Sequence, residues 1–374
     1  MGSAVAVIGA GNVGCALAAD LSLRGFDVRL SGRPERLEAI SASGSIELTG
    51  KVEGSAATPV LIADIGQAVR GADVIAVTVP TPALPDIARA LVAAATPDQL
   101  IWLDPGHSGG ALFLTAEFTR HGRSPRPQIC QTSTASHGAR LSGPASVGVF
   151  ALPTVTVASL PASDIDDCLA RVQQLLPGRV GAAPSVLSLD LQNINAVMHP
   201  PQMIANAGWI ESTGGDFFIY REGSTPAVAR LIAAVDAERL ALATRLNVST
   251  PSLVDALAAA GFTTQQAAQS GRVYEAIQGG EPLGAVKSPP TLDHRYLHED
   301  VGWGLVQWIH LGRAVGVPTP AMTAVATVAS ALNGVDYIAE GLTLERMGLD
   351  HVEAGGITEF VRNGAPEAGR DIDP

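Results

Sequence analysis

The sequence predicts an α/β fold: an N-terminal, doubly wound and mostly parallel sheet over residues 1–184, then an all-α domain over residues 185–374. Three observations predict it. An apolar run ends in a glycine-rich turn that opens a helix. Apolar strands then alternate with helices to about Gly181. After Gly181-Ala182-Ala183-Pro184 the pattern changes to helical periodicity almost throughout. A chain of 374 residues has room for two domains, and 47% hydrophobic residues can fill two cores.

The first element is Ala4-Val5-Ala6-Val7-Ile8, a short β-branched run that reads as a buried parallel strand. Gly9-Ala10-Gly11-Asn12-Val13-Gly14 follows, and residues 15–23 read as a helix. Strand, glycine turn and helix together form the dinucleotide-binding fingerprint of a Rossmann domain. Gly9 allows the tight turn, Gly11 lets the backbone approach a pyrophosphate, and Gly14 lets the helix pack on the strand. Asn12 and Val13 lie in the same turn, and the N-terminus of the helix that follows meets the phosphates with its unpaired N–H groups. The plainer reading is a glycine turn kept for packing. The second strand, 27–30, runs into Ser31-Gly32-Arg33-Pro34 with no acid at its end. A ribose diol bound by NAD enzymes usually meets an acid there, whereas the Ser31 hydroxyl and the Arg33 guanidinium suit a 2′-phosphate. The expected cofactor is therefore NADP(H), with NAD(H) as the alternative.

Residues 73–79 form the next strand, followed by Pro80-Thr81-Pro82 and a helix through Ala95. Leu100-Ile101-Trp102-Leu103 is a strand leading into Asp104-Pro105-Gly106-His107-Ser108-Gly109-Gly110 and another helix. Residues 146–151 and 154–159 read as further strands. Ligands of such sheets bind at the carboxyl ends of the strands, so Pro80 and the Pro105 loop should lie near the cofactor. In the second half, helices are expected at 187–198, 227–246, 253–260, 265–268, 301–315 and 321–333. Residues 278–290 read as a loop, and a loose tail starts at Asn363.

Composition narrows the function classes. A net charge of −12 argues against a nucleic-acid partner. No apolar run reaches eighteen residues, which argues against a membrane helix, and the first strand begins too early for a signal peptide. Cys15, Cys130 and Cys168 are few and lack metal-ligand spacing, as expected of a cytoplasmic protein without disulfides or a bound metal.

Two distant segments carry the candidate chemistry: Asn195-Ala196-Val197-Met198-His199-Pro200-Pro201 and His294-Arg295-Tyr296-Leu297-His298-Glu299-Asp300-Val301. His199 is read as closing a helix before two prolines, with the break aiming the imidazole outward. Asn195 lies four residues earlier on the same face and could hydrogen-bond a substrate carbonyl. Asp300 begins a helix, where an N-cap is the plain reading; a carboxylate there could also hold a His199 tautomer and favour its protonated form.

At these residues the sequence resembles the opine dehydrogenase family, of the octopine/nopaline type, over nearly its whole length. The resemblance rests on Asn195 to Pro201; on Phe218-Ile219-Tyr220-Arg221-Glu222-Gly223-Ser224-Thr225-Pro226; on Arg295-Tyr296-Leu297-His298-Glu299-Asp300; and on Pro105-Gly106-His107-Ser108-Gly109-Gly110-Ala111-Leu112. It implies a Rossmann domain, a helical domain and an active site in the cleft between them. It also implies NAD(P)H-dependent condensation of an amine, commonly an amino acid, with a 2-oxo acid through an imine. The chain departs from the family pattern at Gly302, where a proline is common, and over residues 131–140, which lack a leading acid and carry His137 in place of an aromatic.

On this reading His199, Asp300 and Asn195 are catalytic, and His199 held by Asp300 protonates the 2-oxo oxygen. Substrate carboxylates need cations, for which Arg140 is the first candidate and Arg295 the second, each with a structural ion pair as the plainer reading. His137 and His107 would face substrate from the Rossmann side. Trp209, Trp303 and Trp308 either line an apolar pocket or, as is commoner, fill a helical core. The main alternative is a ketopantoate- or hydroxy-acid-type NADP-dependent dehydrogenase, which uses a lysine on the interdomain helix. The only lysines here, Lys51 and Lys287, lie elsewhere. A second alternative is a non-catalytic NADP-sensing regulator. A helical domain of this kind could also support a homodimer.

Overall fold

The structure, a computed structural model, describes residues 3–106 and 108–364. It divides into two compact units: the chain up to Leu189 joined by the segment from Glu359 onward, and Asp190–Thr358. The division falls inside the Val186–Leu191 helix rather than at the expected 184/185 boundary, and the chain from Glu359 joins the first unit. Part of the reason is local. The Gln131 side chain donates to the Val186 carbonyl at 3.3 Å and holds the start of that helix to the first unit.

The first unit contains β1 (Ala4–Ile8), β2 (Asp27–Ser31), β3 (Ser45–Gly50), β4 (Gly54–Ala57), β5 (Val60–Leu61), β6 (Val74–Val77), β7 (Leu100–Leu103), β8 (Gln128–Thr132), β9 (Gly138–Gly143), β10 (Ser146–Ala151), β11 (Val155–Leu160) and β12 (Val180–Ala182). Eight of them form one sheet in the order β12-β11-β8-β7-β6-β1-β2-β5, parallel except where β11 meets β8. β6 and β7 are buried along their whole length, as continuous apolar runs in a doubly covered parallel sheet should be. β1 lies between β2 and β6, with Ile8 opposite both Ser31 and Val77. The winding reverses there, which is where such sheets bind ligands.

The remaining strands form a second sheet, β4-β3-β10-β9. Residues 146–151, expected in the main sheet, pair instead with β3 in parallel and β9 antiparallel. The alternating side chains explain the placement. Ile46, Leu48, Val147 and Val149 turn inward and join the core around the Asn12–Leu23 helix, while their neighbours face outward.

The second unit is helical apart from one isolated bridge between Phe218 and Lys287. Its long helix, Pro226–Arg245, is capped by Thr225 and starts with proline, which has no N–H to lose at that position. Two expectations fail around the candidate residues. The helix expected at 187–198 is two helices, because the Asn193 side chain caps a new start and accepts from the Asn195 N–H at 3.1 Å. His199 does not close a helix. Ile194–Ala205 runs on through Pro200 and Pro201, at the cost of the N–H groups that the Ala196 and Val197 carbonyls would otherwise receive. Residues 278–290 also carry one short helix, Glu281–Gly284. No helix among the described residues is long and apolar enough to cross a membrane.

Candidate active site

In the first unit the glycine turn faces a cavity of about 650 Å³, a size suited to a cofactor. Gly9, Gly11, Ser31, Arg33 and Pro80 line it, together with Gly32, Arg36 and Thr78. Gly9 sits at φ +119°, a conformation that only glycine adopts without strain. A Cβ on Gly14 would come within 1.7 Å of the Gly9 carbonyl, whereas one on Gly11 would meet nothing. The turn is thus closed against its own helix and open toward the cavity, as a pyrophosphate cradle requires. Asn12 and Val13 form the first turn of the helix, and the Asn12 side chain is already engaged, accepting from the Leu141 N–H at 2.9 Å. It fixes β9 to the turn.

The residues present fit a dinucleotide. Two cavity residues did not stand out in the sequence. Thr78 donates to the Ile8 and Gly9 carbonyls at 3.1 Å each, tying the end of β6 to the turn. Arg36 donates to the Ala10 carbonyl at 3.3 Å, and Arg33 is exposed at the start of the same helix. A larger cavity of about 910 Å³, along residues 312–328 of the second unit, is shallow, mostly apolar and holds no candidate residue.

In the second unit His199 and Asp300 meet. Nδ1 of His199 lies 2.7 Å from Oδ2 of Asp300, with both residues buried. A carboxylate only accepts, so Nδ1 carries the proton and Nε2 is left for a ligand; among the described residues nothing hydrogen-bonds Nε2. Asp300 is not an N-cap. His294 caps the helical run, its Nδ1 accepting from the Tyr296 N–H, and Asp300 lies further on at the start of a π-helical segment, Asp300–Leu305, that continues into Val306–Val315. Wide helical turns of this kind concentrate at functional sites. Close packing delivers the carboxylate: a Cβ on Gly304 would lie 2.5 Å from that of Ala196, so only glycine lets the π segment sit this near the His199 helix.

The other candidates are placed differently. Asn195 is half-buried in the first turn of the His199 helix. Arg140 is exposed on β9, and no ion pair of its side chain occurs among the described residues. Arg295 is bound to Glu299, its Nε donating at 2.9 Å. Burial alone would lower its pKa, but the charges of Glu299 and Asp300 outweigh that and hold it above the usual arginine value.

His137 is enclosed within the first unit. It is fully buried, with Ser136 Oγ at 2.8 Å from Nδ1 and Asp20 Oδ2 at 3.5 Å from Nε2. The second pair has the distance of an ion pair but not the alignment of a hydrogen bond. His107 lies outside the described residues. Trp303 and Trp308 belong to the core, and Trp209 lies at the surface, stacked on Phe217 at 4.0 Å. Lys287 is exposed and paired with Asp216. No cluster of three or more His, Cys, Asp or Glu residues among those described could hold a metal.

A Rossmann sheet with a built dinucleotide cradle, and a helical unit holding a buried imidazole–carboxylate pair, define a nicotinamide-dependent oxidoreductase. Comparison with known proteins narrows the class. Residues 182–333 match the family model for the α-helical domain of NAD/NADP octopine/nopaline dehydrogenase, and residues 5–162 match the ketopantoate reductase PanE/ApbA model. An opine dehydrogenase of Arthrobacter sp. (strain 1C) is 38% identical over 95% of this chain and 98% of its own. Octopine dehydrogenase solved with NADH and L-arginine superposes with a TM-score of 0.78 at 19% identity, over 94% of this chain and 98% of that one. Yersinopine dehydrogenase with NADP+ bound gives 0.73 at 18%, over 97% and 98%. The chain belongs to the opine dehydrogenase family: it is an NAD(P)-dependent oxidoreductase acting on CH–NH donors.

Proposed function

We propose that this enzyme condenses an amino acid or other amine with a 2-oxo acid and reduces the resulting imine, using His199 and Asp300 as an acid–base dyad. The observation that carries the reading is the 2.7 Å contact between Nδ1 and Oδ2, which leaves Nε2 to exchange protons with substrate. Gly9 and Gly11 would hold a reduced nicotinamide dinucleotide, which when bound would supply the hydride for the imine carbon. The protonated Nε2 donates to the oxo oxygen as the amine nitrogen attacks, giving a carbinolamine. The neutral imidazole then takes a proton from that nitrogen and returns it to the hydroxyl, which leaves as water. Asp300 keeps the Nδ1 proton in place throughout and stabilises each return to the charged ring. Asn195 is assigned to orienting the carbonyl. Arg140, exposed and without an ion pair, is assigned to a substrate carboxylate, since Arg295 is held by Glu299. Arg140→Met should raise the KM for the oxo acid about tenfold or more, the loss of a charge-assisted contact; an unchanged KM removes it from the site.

The test is NAD(P)H consumption with a panel of amino acids against pyruvate, glyoxylate and 2-oxoglutarate. Consumption should require both the amine and the oxo acid. The octopine dehydrogenase relative was solved with L-arginine, which makes amino acids the first panel. Consumption with oxo acid alone would point instead to the hydroxy-acid reading. The ketopantoate reductase match covers only the Rossmann half, and neither lysine lies on a helix with His199. The same assay compares cofactors. With Ser31, Arg33 and Arg36 lining the cavity and no acid ending β2, NADPH should give the higher kcat/KM.

A further inference from the structure

We infer that Tyr296 is a positioning residue for His199, its ring fixing the plane of the imidazole so that Nε2 keeps a single direction while Nδ1 stays on Asp300. The inference rests on the assignment of His199 as the acid. One hydrogen bond does not fix an imidazole, because the torsion about its Cβ–Cγ bond is soft and the ring can tilt around the Nδ1–Oδ2 contact. Here a second restraint exists. The two rings lie face to face with centroids 3.5 Å apart and planes 11° from parallel.

Tyr296 is itself held from several sides. Its N–H donates to His294 Nδ1 at 3.2 Å, and the His294 ring meets its edge at 4.7 Å and 87°. Beside it stands Tyr220, a buried tyrosine whose ring centroid lies 6.4 Å from that of His199. Burial, followed by the effects of Tyr296 and the Asp300 charge, pushes the Tyr220 hydroxyl well above the ordinary tyrosine range.

Tyr296 and Asp300 stand at i and i+4 of one helical run, so the same face presents both the carboxylate and the stacking ring. This gives a role to two motif tyrosines that the acid–base chemistry leaves unused. One comes from the segment at 218–226 and the other from the segment at 295–300, and they meet beside His199.

Two measurements test the inference. In the wild-type protein, stacking under a phenol ring should move the imidazole C–H proton resonances of His199 upfield of those of free histidine. The signal is assigned by its loss in His199→Gln, and it should return toward the free position in Tyr296→Leu. In kinetics, Tyr296→Leu should lower kcat about tenfold to a hundredfold, the cost of a misaimed reacting group. KM for the oxo acid and for the cofactor should stay within about twofold, and Tyr296→Phe, which keeps the ring, should recover most of the lost kcat.

Absence of the upfield signal in the wild-type protein overturns the inference. So does a Leu variant with wild-type kcat, or one whose only change is in KM. If the Leu variant fails to fold, the wild-type resonance and the Phe variant still decide. If the wild-type protein shows no amine-dependent NAD(P)H consumption, the proposed reaction fails instead, while the resonance still reports on the stack.

Discussion

Each unit of this enzyme holds one buried histidine against a carboxylate, and these two pairs differ in what they leave open; the helical unit's other pairs, His298 with Asp293 and His351 with Asp350, are not buried. His199 gives Nδ1 to Asp300 at 2.7 Å and keeps Nε2 clear of the described residues. His137 has both ring nitrogens turned to its own unit, toward Ser136 Oγ and Asp20, and no part of it reaches solvent. An imidazole beside an acid can move protons for a substrate only if one nitrogen remains available, and of these two buried pairs only His199 with Asp300 meets that condition. The other pair is part of a buried polar network that also takes in Asp104, which accepts from the Ser136 N–H at 2.7 Å and from the Ser136 hydroxyl.

The largest expected effect separates the two histidines directly. His199→Gln or Asp300→Asn should lower kcat for amine-dependent NAD(P)H consumption by about 10²–10⁴-fold, the usual worth of general acid–base catalysis. His137→Gln should leave kcat within a few-fold and lower the melting temperature instead. Steady-state kinetics with thermal melts on the three variants would check this. Equal losses of kcat at both histidines would erase the distinction drawn above.

A smaller effect sharpens how the His199 pair is assembled. Gly304→Ala would press a methyl group against Ala196, which lies one helical turn before His199. Overpacking of this kind costs about 1–3 kcal/mol. Since the strain falls on the contact that brings Asp300 to His199, kcat should drop about tenfold as well. Ala196→Gly added to Gly304→Ala should restore both the rate and the melting temperature. If the double variant were no better than the single one, the close helix approach would not be what sets the pair.

The same contrast explains what the sequence makes legible. The glycine turn, the parallel strands and the change to helical periodicity could all be read, because each is a local pattern with one dominant physical cause. The partnership of His199 with Asp300 could be read through motif resemblance. The local geometry around it could not: the readings of Pro200 as a helix end and of Asp300 as a cap both fail. Proline is only a strong local bias, and here the buried packing of Ala196, Val197 and Met203 carries the helix through it.

β3, β4 and β9 of the second sheet are hard to read for a different reason. They are short strands rich in Gly, Ala and Ser, and the pairing that joins their two hairpins, β3 with β10, spans about a hundred residues. The family resemblance puts His137 in the place of an aromatic and so on the substrate side, with nothing local to mark it as buried. Its burial depends on Asp20, more than a hundred residues away, and on Asp104 through Ser136. Tyr296 was visible inside a motif, but only the stacking geometry gives it a task.

The smallest effect concerns the buried pair, where two carboxylates flank one Ser136–His137 unit and shift in opposite directions. Burial pushes Asp104 above the usual carboxylate range, against the hydrogen bonds from Ser136 that pull it down. Burial also pushes Asp20 up, but its contact with His137 and the charges of Arg24, His137 and Arg179 outweigh that and hold it below. The signs for stability follow. A carboxyl whose folded pKa is raised stabilises fully below its unfolded pKa, near 3.9, and loses that contribution as pH rises through the folded value. A carboxyl whose folded pKa is lowered stabilises above its unfolded pKa and loses that contribution as pH falls through the folded value. Asp104→Asn copies the protonated side chain, since its amide can donate to Ser136 Oγ as an Asp104 O–H would. It should therefore match the wild-type melting temperature in acid and exceed it at pH 8, by about 2–4 °C for each 1 kcal/mol relieved. Asp20→Asn should do the reverse, melting below the wild-type protein at neutral pH and converging with it in acid. Melting curves of the two variants across pH 3–8 would show gaps of opposite sign. Gaps of the same sign, or a gap for Asp104→Asn that does not grow as pH rises, would mean that these carboxylates do not hold their protons in the way their surroundings dictate.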